Sequence, residues 1–302
     1  MSPRHAALLA VGVVAVSFAA IFIRYADASG LTIALYRNAL ASAVVLPIAV
    51  AFRRRELRRL SRRQWGISLL AGALLALHFA LWIPSVKLTT VAASVVLVTA
   101  SPIFVVLGAR AVFGDRVNRA TLGGILAGLV GAAVVSGGDV RLSARAAEGD
   151  LLALGGAVAA AAYFLAGRAV RKEMSLLAYV GIAYPACAVL LWPVAATSGT
   201  RLAGFDARTW WMFGLLAVVP QIVGHSTFNY LLRDVDATVV AISIMGEPIG
   251  SGLLALAFFG EVPPWTAVAG GLLILAGIYV ATTAQGRAGP RRRTEELIAA
   301  LE

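Results

Sequence analysis

Residues Pro102–Asp115, PIFVVLGARAVFGD, and Pro248–Glu261, PIGSGLLALAFFGE, read as two copies of one segment. Aligning the prolines sets an offset of 146 (248 − 102). At that offset Ile103 meets Ile249, Leu107 meets Leu253, Ala109 meets Ala255, and Phe113-Gly114-Asp115 meets Phe259-Gly260-Glu261. The register continues without a gap, so that Gly124 meets Gly270 and Gly131 meets Gly277. Agreement of the Pro, Gly and Phe-Gly-acid positions in one register points to an internal duplication.

The segments on either side are long and apolar. Of 302 residues 60% are apolar and 14% charged, against roughly 25% charged in a soluble domain. A membrane span needs about 20 mostly apolar residues, and the spacing predicts helices at 6–25, 30–52, 65–84, 89–112, 118–137, 150–169, 175–196, 209–231, 237–259 and 264–283. The runs are too long, and alternate too little, for barrel strands. The expected fold is therefore an all-α integral membrane protein of ten transmembrane helices. Five helices separate the repeat partners, and an odd number inverts the second copy in the membrane. That gives two inverted five-helix repeats, residues 1–140 and 150–285, with a tail at 286–302, an architecture suited to alternating access.

Orientation follows from the arginines. With the N-terminus in the cytoplasm, the inner loops hold Arg53, Arg54, Arg55, Arg58, Arg59, Arg62 and Arg63, then Arg110, Arg116 and Arg119, then Arg168, Arg171, Lys172 and Arg233; Arg287 and Arg291–Arg293 follow in the tail. The outer side keeps Arg24, Lys87, Arg141, Arg145, Arg201 and Arg208. Both termini are expected in the cytoplasm of a bacterium bounded by its cytoplasmic (inner) membrane. The net charge of +11 is thereby assigned to the bilayer, and no nucleic-acid partner is expected. Ala26-Asp27-Ala28 has the small-x-small pattern of a signal-peptidase site. The apolar run before it, Ala6–Ile23, exceeds the usual 7–15 residues and Arg24 intervenes, so a retained first helix is expected. Trp65, Trp82, Trp192, Trp210, Trp211 and Trp265 all fall near predicted helix ends, as an aromatic belt does.

Ionisable groups inside a membrane are costly and mark functional sites. Glu247 lies about ten residues, roughly 15 Å, into the ninth predicted helix. Ser243, Glu247 and Ser251 share its face, and Pro248 removes a backbone hydrogen bond and frees the Ile244 carbonyl. A carboxylate there is expensive to keep charged, so Glu247 is a candidate for substrate binding or proton coupling. Gln221, His225 and Asn229 stand at i, i+4 and i+8 and face a cavity or another helix. His78 is the repeat partner of His225 within a residue; inverted symmetry assigns His78 to the outer half and His225 to the inner half, as symmetric gates. Trp82 lies one turn from His78. Arg37 lies roughly 10 Å deep in the second helix, where it snorkels, pairs with Glu247 or binds an anionic group. Tyr36, Ser101, Ser17, Ser94 and Tyr163 are weaker candidates. Pro102 and Pro248 are candidate hinges, and Gly124-x-x-x-Gly128 and Gly246-x-x-x-Gly250 permit close helix packing.

At several stretches the chain resembles the EamA-type members of the drug/metabolite transporter superfamily. These are Tyr36-Arg37; Leu77-His78-Phe79 through Trp82 to Thr89-Thr90-Val91-Ala92-Ala93-Ser94 and Pro102; Gly224-His225 with Asn229; and Gly246-Glu247-Pro248 with Phe259-Gly260-Glu261. The first helix departs from the family, with Val16-Ser17-Phe18 where many members carry Trp-Gly. The resemblance implies ten helices, a central cavity, and export or exchange of small metabolites without ATP; the chain holds no G-x-x-x-x-G-K-[ST] loop. An acid and a base in one cavity fit amino acids, related small molecules or drugs. The alternatives are a membrane-embedded enzyme acting on lipid, and a receptor or scaffold. The three histidines, His5, His78 and His225, form no catalytic or metal cluster, and the lone Cys187 allows no intrachain disulfide. No cofactor or metal is expected, and either a monomer or a homodimer is compatible.

Overall fold

The computed structural model describes residues 3–114, 118–140, 143–235, 240 and 243–288. Asp115, Arg116, Arg141, residues 237–239 and 241–242 of the predicted ninth helix, and the tail from 289 lie outside the described residues. Among the described residues the chain is all helix, as backbone in lipid requires.

The elements are α1 (Pro3–Ser17), α2 (Ala19–Tyr25), α3 (Gly30–Arg59), α4 (Arg62–Leu88), α5 (Val91–Val98), α6 (Ser101–Phe113), α7 (Arg119–Val140), α8 (Ala144–Val170), α9 (Leu176–Thr197), α10 (Ala207–Leu216), a wide π turn (Ala217–His225), α11 (Ser226–Leu231), a 3₁₀ turn (Ile244–Gly246), α12 (Glu247–Phe259) and α13 (Trp265–Ala288). Seven helical stretches are long and apolar enough to cross a membrane, Pro3–Tyr25, Gly30–Arg59, Arg62–Leu88, Val91–Phe113, Ala144–Val170, Leu176–Thr197 and Ala207–Leu231; Glu247–Phe259 and Trp265–Gly277 are shorter apolar helices.

Local chemistry fixes the ends. Ser29 and Ser175, 146 residues apart, each accept a backbone N–H three residues on, at the starts of α3 and α9. Gly114 and Gly260, again 146 apart, close α6 and α12 at φ 72° and 65°, a left-handed conformation that glycine adopts without strain. Ser61 and Gln64 form a reciprocal capping box at the start of α4. Trp65, Trp192, Trp210, Trp211 and Trp265 are exposed, while Trp82 is buried at 3% exposure and so leaves the expected belt for the interior.

Packing pairs α4 with α8, α3 with α9, and α7 with α13. Small residues set the closest approaches. A Cβ on Gly131 would stand 2.6 Å from the Gly270 carbonyl, and one on Gly277 would strike the Gly124 carbonyl and stand 2.7 Å from the Gly128 nitrogen. Gly246 and Gly250 face Val13 and Ser17 of α1 in the same way, as expected of their spacing.

Candidate functional site

A cavity opens where several helices break. Val16 and Ala19 flank the α1–α2 break at Phe18. Val98, Thr99 and Ser101 surround the α5–α6 break, His225 and Phe228 the end of the π turn, and Ile244 and Glu247 the 3₁₀ turn before α12. Arg37, His78, Trp82, Ala160 and Phe164 complete the wall from α3, α4 and α8. Each break interrupts the regular backbone ladder beside a cavity, the setting in which irregular backbone is tolerated within a membrane.

Arg37 is fully buried and does not snorkel. Its guanidinium lies 4.2 Å from the Phe79 ring centroid, and its Nε donates to the Gln221 side-chain oxygen at 2.7 Å. The terminal nitrogens Nη1 and Nη2 have no hydrogen-bond partner among the described residues. Two donors of one planar fork thus stay available on a side chain that lines the cavity, the geometry that takes a carboxylate in bidentate fashion. Glu247 lines the same cavity and is buried, but among the described residues it makes no ion pair with Arg37 within 4.0 Å.

The expected separation of the histidines is corrected. His78 and His225 line one cavity with ring centroids 6.3 Å apart. The reason is depth: His78 sits ten residues before the end of α4, about 15 Å in, the middle of a roughly 30 Å hydrocarbon core. His78 Nδ1 lies 2.9 Å from the Gly156 carbonyl, which only accepts, so Nδ1 carries the proton and Nε2 is the free face. Its ring stacks on Trp82 at 5.7 Å and 12°. His225 Nδ1, Trp82 Nε1 and Gln221 Nε2 have no partner among the described residues.

Pro102 and Pro248 sit in the first turns of α6 and α12, immediately after the breaks, where a missing N–H costs little. The expected free carbonyl at Ile244 is corrected: the 3₁₀ turn tightens the chain and the Glu247 N–H donates to it. Ser101 lines the cavity. Ser243 lies outside its wall, and Ser251 donates to the Ser17 carbonyl at 3.0 Å, joining α12 to α1.

Other candidates prove to be braces. Asn229 donates to the Tyr163 hydroxyl at 2.6 Å and to the His225 carbonyl at 2.8 Å. Tyr36 is outside the cavity wall; its hydroxyl donates to the Leu202 carbonyl at 2.6 Å and its ring stacks on Phe213 at 4.8 Å. Gln221 touches the cavity through Arg37. Ser17 bonds back to the Val13 carbonyl, and Ser94 pairs with Ser85.

The Phe-Gly-acid motif of the second copy closes one end of the bundle. After the left-handed Gly260, Glu261 accepts the Val91 N–H at 2.7 Å at the start of α5 and lies 3.6 Å from Arg24. Arg24 in turn donates to the Val86 and Thr89 carbonyls at 2.7 and 2.8 Å, and Lys87 to the Ala26 carbonyl at 2.8 Å. These contacts tie together the ends of α2, α4 and α12 and the start of α5.

The cavity wall also follows the 146-residue offset. Trp82 has Phe228 as its partner, Val98 has Ile244, and Ser101 has Glu247. Charge breaks the equivalence: Glu247 stands opposite a serine in register, and Arg37 has Ala183 as its partner. The sequence reading missed the apolar wall of Phe164, Phe228, Val98 and Ile244, of which the offset from Trp82 would have found Phe228.

Comparison with known proteins gives one consistent result. The model of the EamA-like transporter family matches residues 4–137 and again 147–283. An uncharacterized transporter of Archaeoglobus fulgidus is 26% identical over 273 residues, covering 89% of this chain and 93% of that protein. A probable terminal-alkyne amino-acid exporter of Streptantibioticus cattleyicolor is 28% identical over 188 residues, covering 61% of each. A crystal structure titled only as that of a protein shares the fold, with a TM-score of 0.68 at 20% identity, over 93% of this chain and 98% of the other.

Proposed function

The chain belongs to the EamA-like transporter family, and from that premise we propose that it is a secondary transporter exporting or exchanging small zwitterionic metabolites, amino acids or their relatives, across the bacterial cytoplasmic membrane. The observation that carries this is the single cavity holding the unpartnered guanidinium nitrogens of Arg37 and the carboxylate of Glu247. A zwitterion satisfies both, its carboxylate on Arg37 and its ammonium on Glu247, with its side chain against Trp82, Phe164 and Phe228. The exporter relative supports the amino-acid class.

Two inverted repeats of five helices supply alternating access. Three observations support this reading. The family model matches twice; the cavity wall repeats at the 146-residue offset; and the glycine contacts are reciprocal, Gly131 on Gly270 and Gly124 on Gly277, as a two-fold relation produces. In this reading the Arg24–Glu261 contacts lie at the outer end of the bundle and close it in one of the two alternating states.

The test is counterflow in proteoliposomes with a panel of radiolabelled amino acids. Accumulation of at least one, lost in Arg37→Ala, is expected. No movement of any zwitterion, with turnover of lipid instead, would transfer the chain to the enzyme reading.

A further inference from the structure

The arginine cluster at the α3–α4 turn is more ordered than a solvated charge run. The backbone of α3 leaves helical geometry at Arg53 (φ −124°, ψ 17°), so the last residues of the helix take a new direction. The redirected piece is pinned from inside. Glu56 accepts the Ser175 N–H at 2.7 Å, and Leu57 and Leu60 pack on the core. The Ser61–Gln64 capping box fixes the turn that follows. All seven arginines from Arg53 to Arg63 are exposed.

This geometry is electrostatically incomplete. Arg53 has Glu56 at 4.0 Å and Arg63 has Glu173 at 3.6 Å. Arg54, Arg55, Arg58, Arg59 and Arg62 have no carboxylate within 4.0 Å among the described residues. Arg62 and Arg63 also occupy the first turn of α4, with no acidic residue in that turn, where the helix dipole disfavours positive charge. The arrangement lowers its energy by taking an anion from outside the chain. Beside it the exposed surface is apolar, through Phe52, Trp65, Leu69 and Leu70 on the two helices that enter the bilayer. A soluble polyanion has no use for that apolar flank.

We propose that the Arg53–Arg63 bend is a binding site for an anionic phospholipid, its phosphate held by the outward arginines and its acyl chains lying along Phe52, Trp65 and Leu69. The pinned backbone presets the guanidinium groups, so the site selects headgroup charge and is more than a diffuse attraction to the leaflet.

The test is native mass spectrometry of the detergent-purified protein titrated with phosphatidylglycerol and phosphatidylcholine of matched chains. The expected result is preferential retention of phosphatidylglycerol. Each of Arg54→Gln, Arg55→Gln, Arg58→Gln and Arg59→Gln should lower its affinity about five-fold, with phosphatidylcholine unchanged. The variant Arg145→Gln/Arg201→Gln/Arg208→Gln, which removes charge at the other end of the bundle, should bind as the native protein does. Equal losses from both ends, or unchanged binding in the combined Arg54, Arg55, Arg58 and Arg59 variant, would overturn the site. Displacement by millimolar glycerol phosphate as readily as by phosphatidylglycerol would show a free-anion site and overturn the lipid assignment.

Discussion

Arg37 of α3 and Gln221 of the π turn are joined by a 2.7 Å hydrogen bond, Nε to Oε1, with both side chains buried. The bond holds the guanidinium at Nε and leaves Nη1 and Nη2 of this cavity-lining side chain without a hydrogen-bond partner among the described residues. It also links residues 184 positions apart, one in each copy of the duplication.

If that bond orients the anion-binding edge, Gln221→Leu weakens substrate without removing the charge. A hydrogen bond to a charged group contributes about 1.5–3 kcal/mol, so KM for the transported zwitterion should rise about 10-fold to 100-fold, with the maximal rate within a few-fold of native. Arg37→Lys should fare as badly, since an ammonium lacks the planar fork. Initial rates in proteoliposomes check both; an unchanged KM in Gln221→Leu would remove the orienting role.

Among the described residues Glu247 is the one carboxylate on the cavity wall. Replacement by Gln keeps size and hydrogen bonding but abolishes titration. We predict that Glu247→Gln reaches the membrane, loses accumulation driven by an imposed pH gradient, and keeps exchange of substrate for substrate. Full gradient-driven flux in this variant would exclude proton coupling through Glu247, and loss of both modes with normal folding would assign it to binding.

The Arg24–Glu261 contact should report on the outer face. In a Cys187→Ala background, Ser101→Cys places a thiol on the cavity wall. Adding Glu261→Gln should raise its labelling by an impermeant reagent in intact cells several-fold, and the exchanged pair Arg24→Glu/Glu261→Arg should bring it part of the way back. The exposure of the pair, 31% and 19%, limits the Coulombic part to about 1 kcal/mol, so the expected shift is a change of population. Labelling that stays at the native rate would make the contact a brace alone.

Orientation is tested by single cysteines at Ser61 and Ser143. Both serines cap helices, so each substitution costs about 1 kcal/mol, which shifts stability without moving a helix. Ser143→Cys should label in intact cells and Ser61→Cys only after lysis. Labelling of both from outside would overturn the assigned topology.

Much of this was legible in the residues, and the part that was not has a common cause. Apolar run lengths located the seven long apolar stretches, with ends up to seven residues off, and the cost of burying charge singled out Arg37 and Glu247. Spacing says which side chains share a helix face; it is silent on what stands opposite. That is why Tyr36, beside Arg37 in sequence, belongs to an aromatic cluster with Phe205, Trp210 and Phe213 instead of the cavity, and why two histidines assigned to opposite gates meet at the centre. The break at Phe18 and the π turn at 217–225 carry no local signal beyond Pro220, because tertiary packing selects them.

The glycine contacts between α7 and α13 have a mechanical consequence. Where Gly131 meets the Gly270 carbonyl and Gly277 meets Gly124, backbone lies on backbone, with the Ile274 side chain reaching in beside Gly131. Sliding one helix past the other there disturbs few side chains, Ile274 among them, whereas prying them apart forfeits the whole contact. Such a joint behaves as a bearing: stiff against separation, compliant to shear. A leucine at Gly131 would convert it into a ratchet, with the helices held at whichever spacing the new side chain finds room to fill.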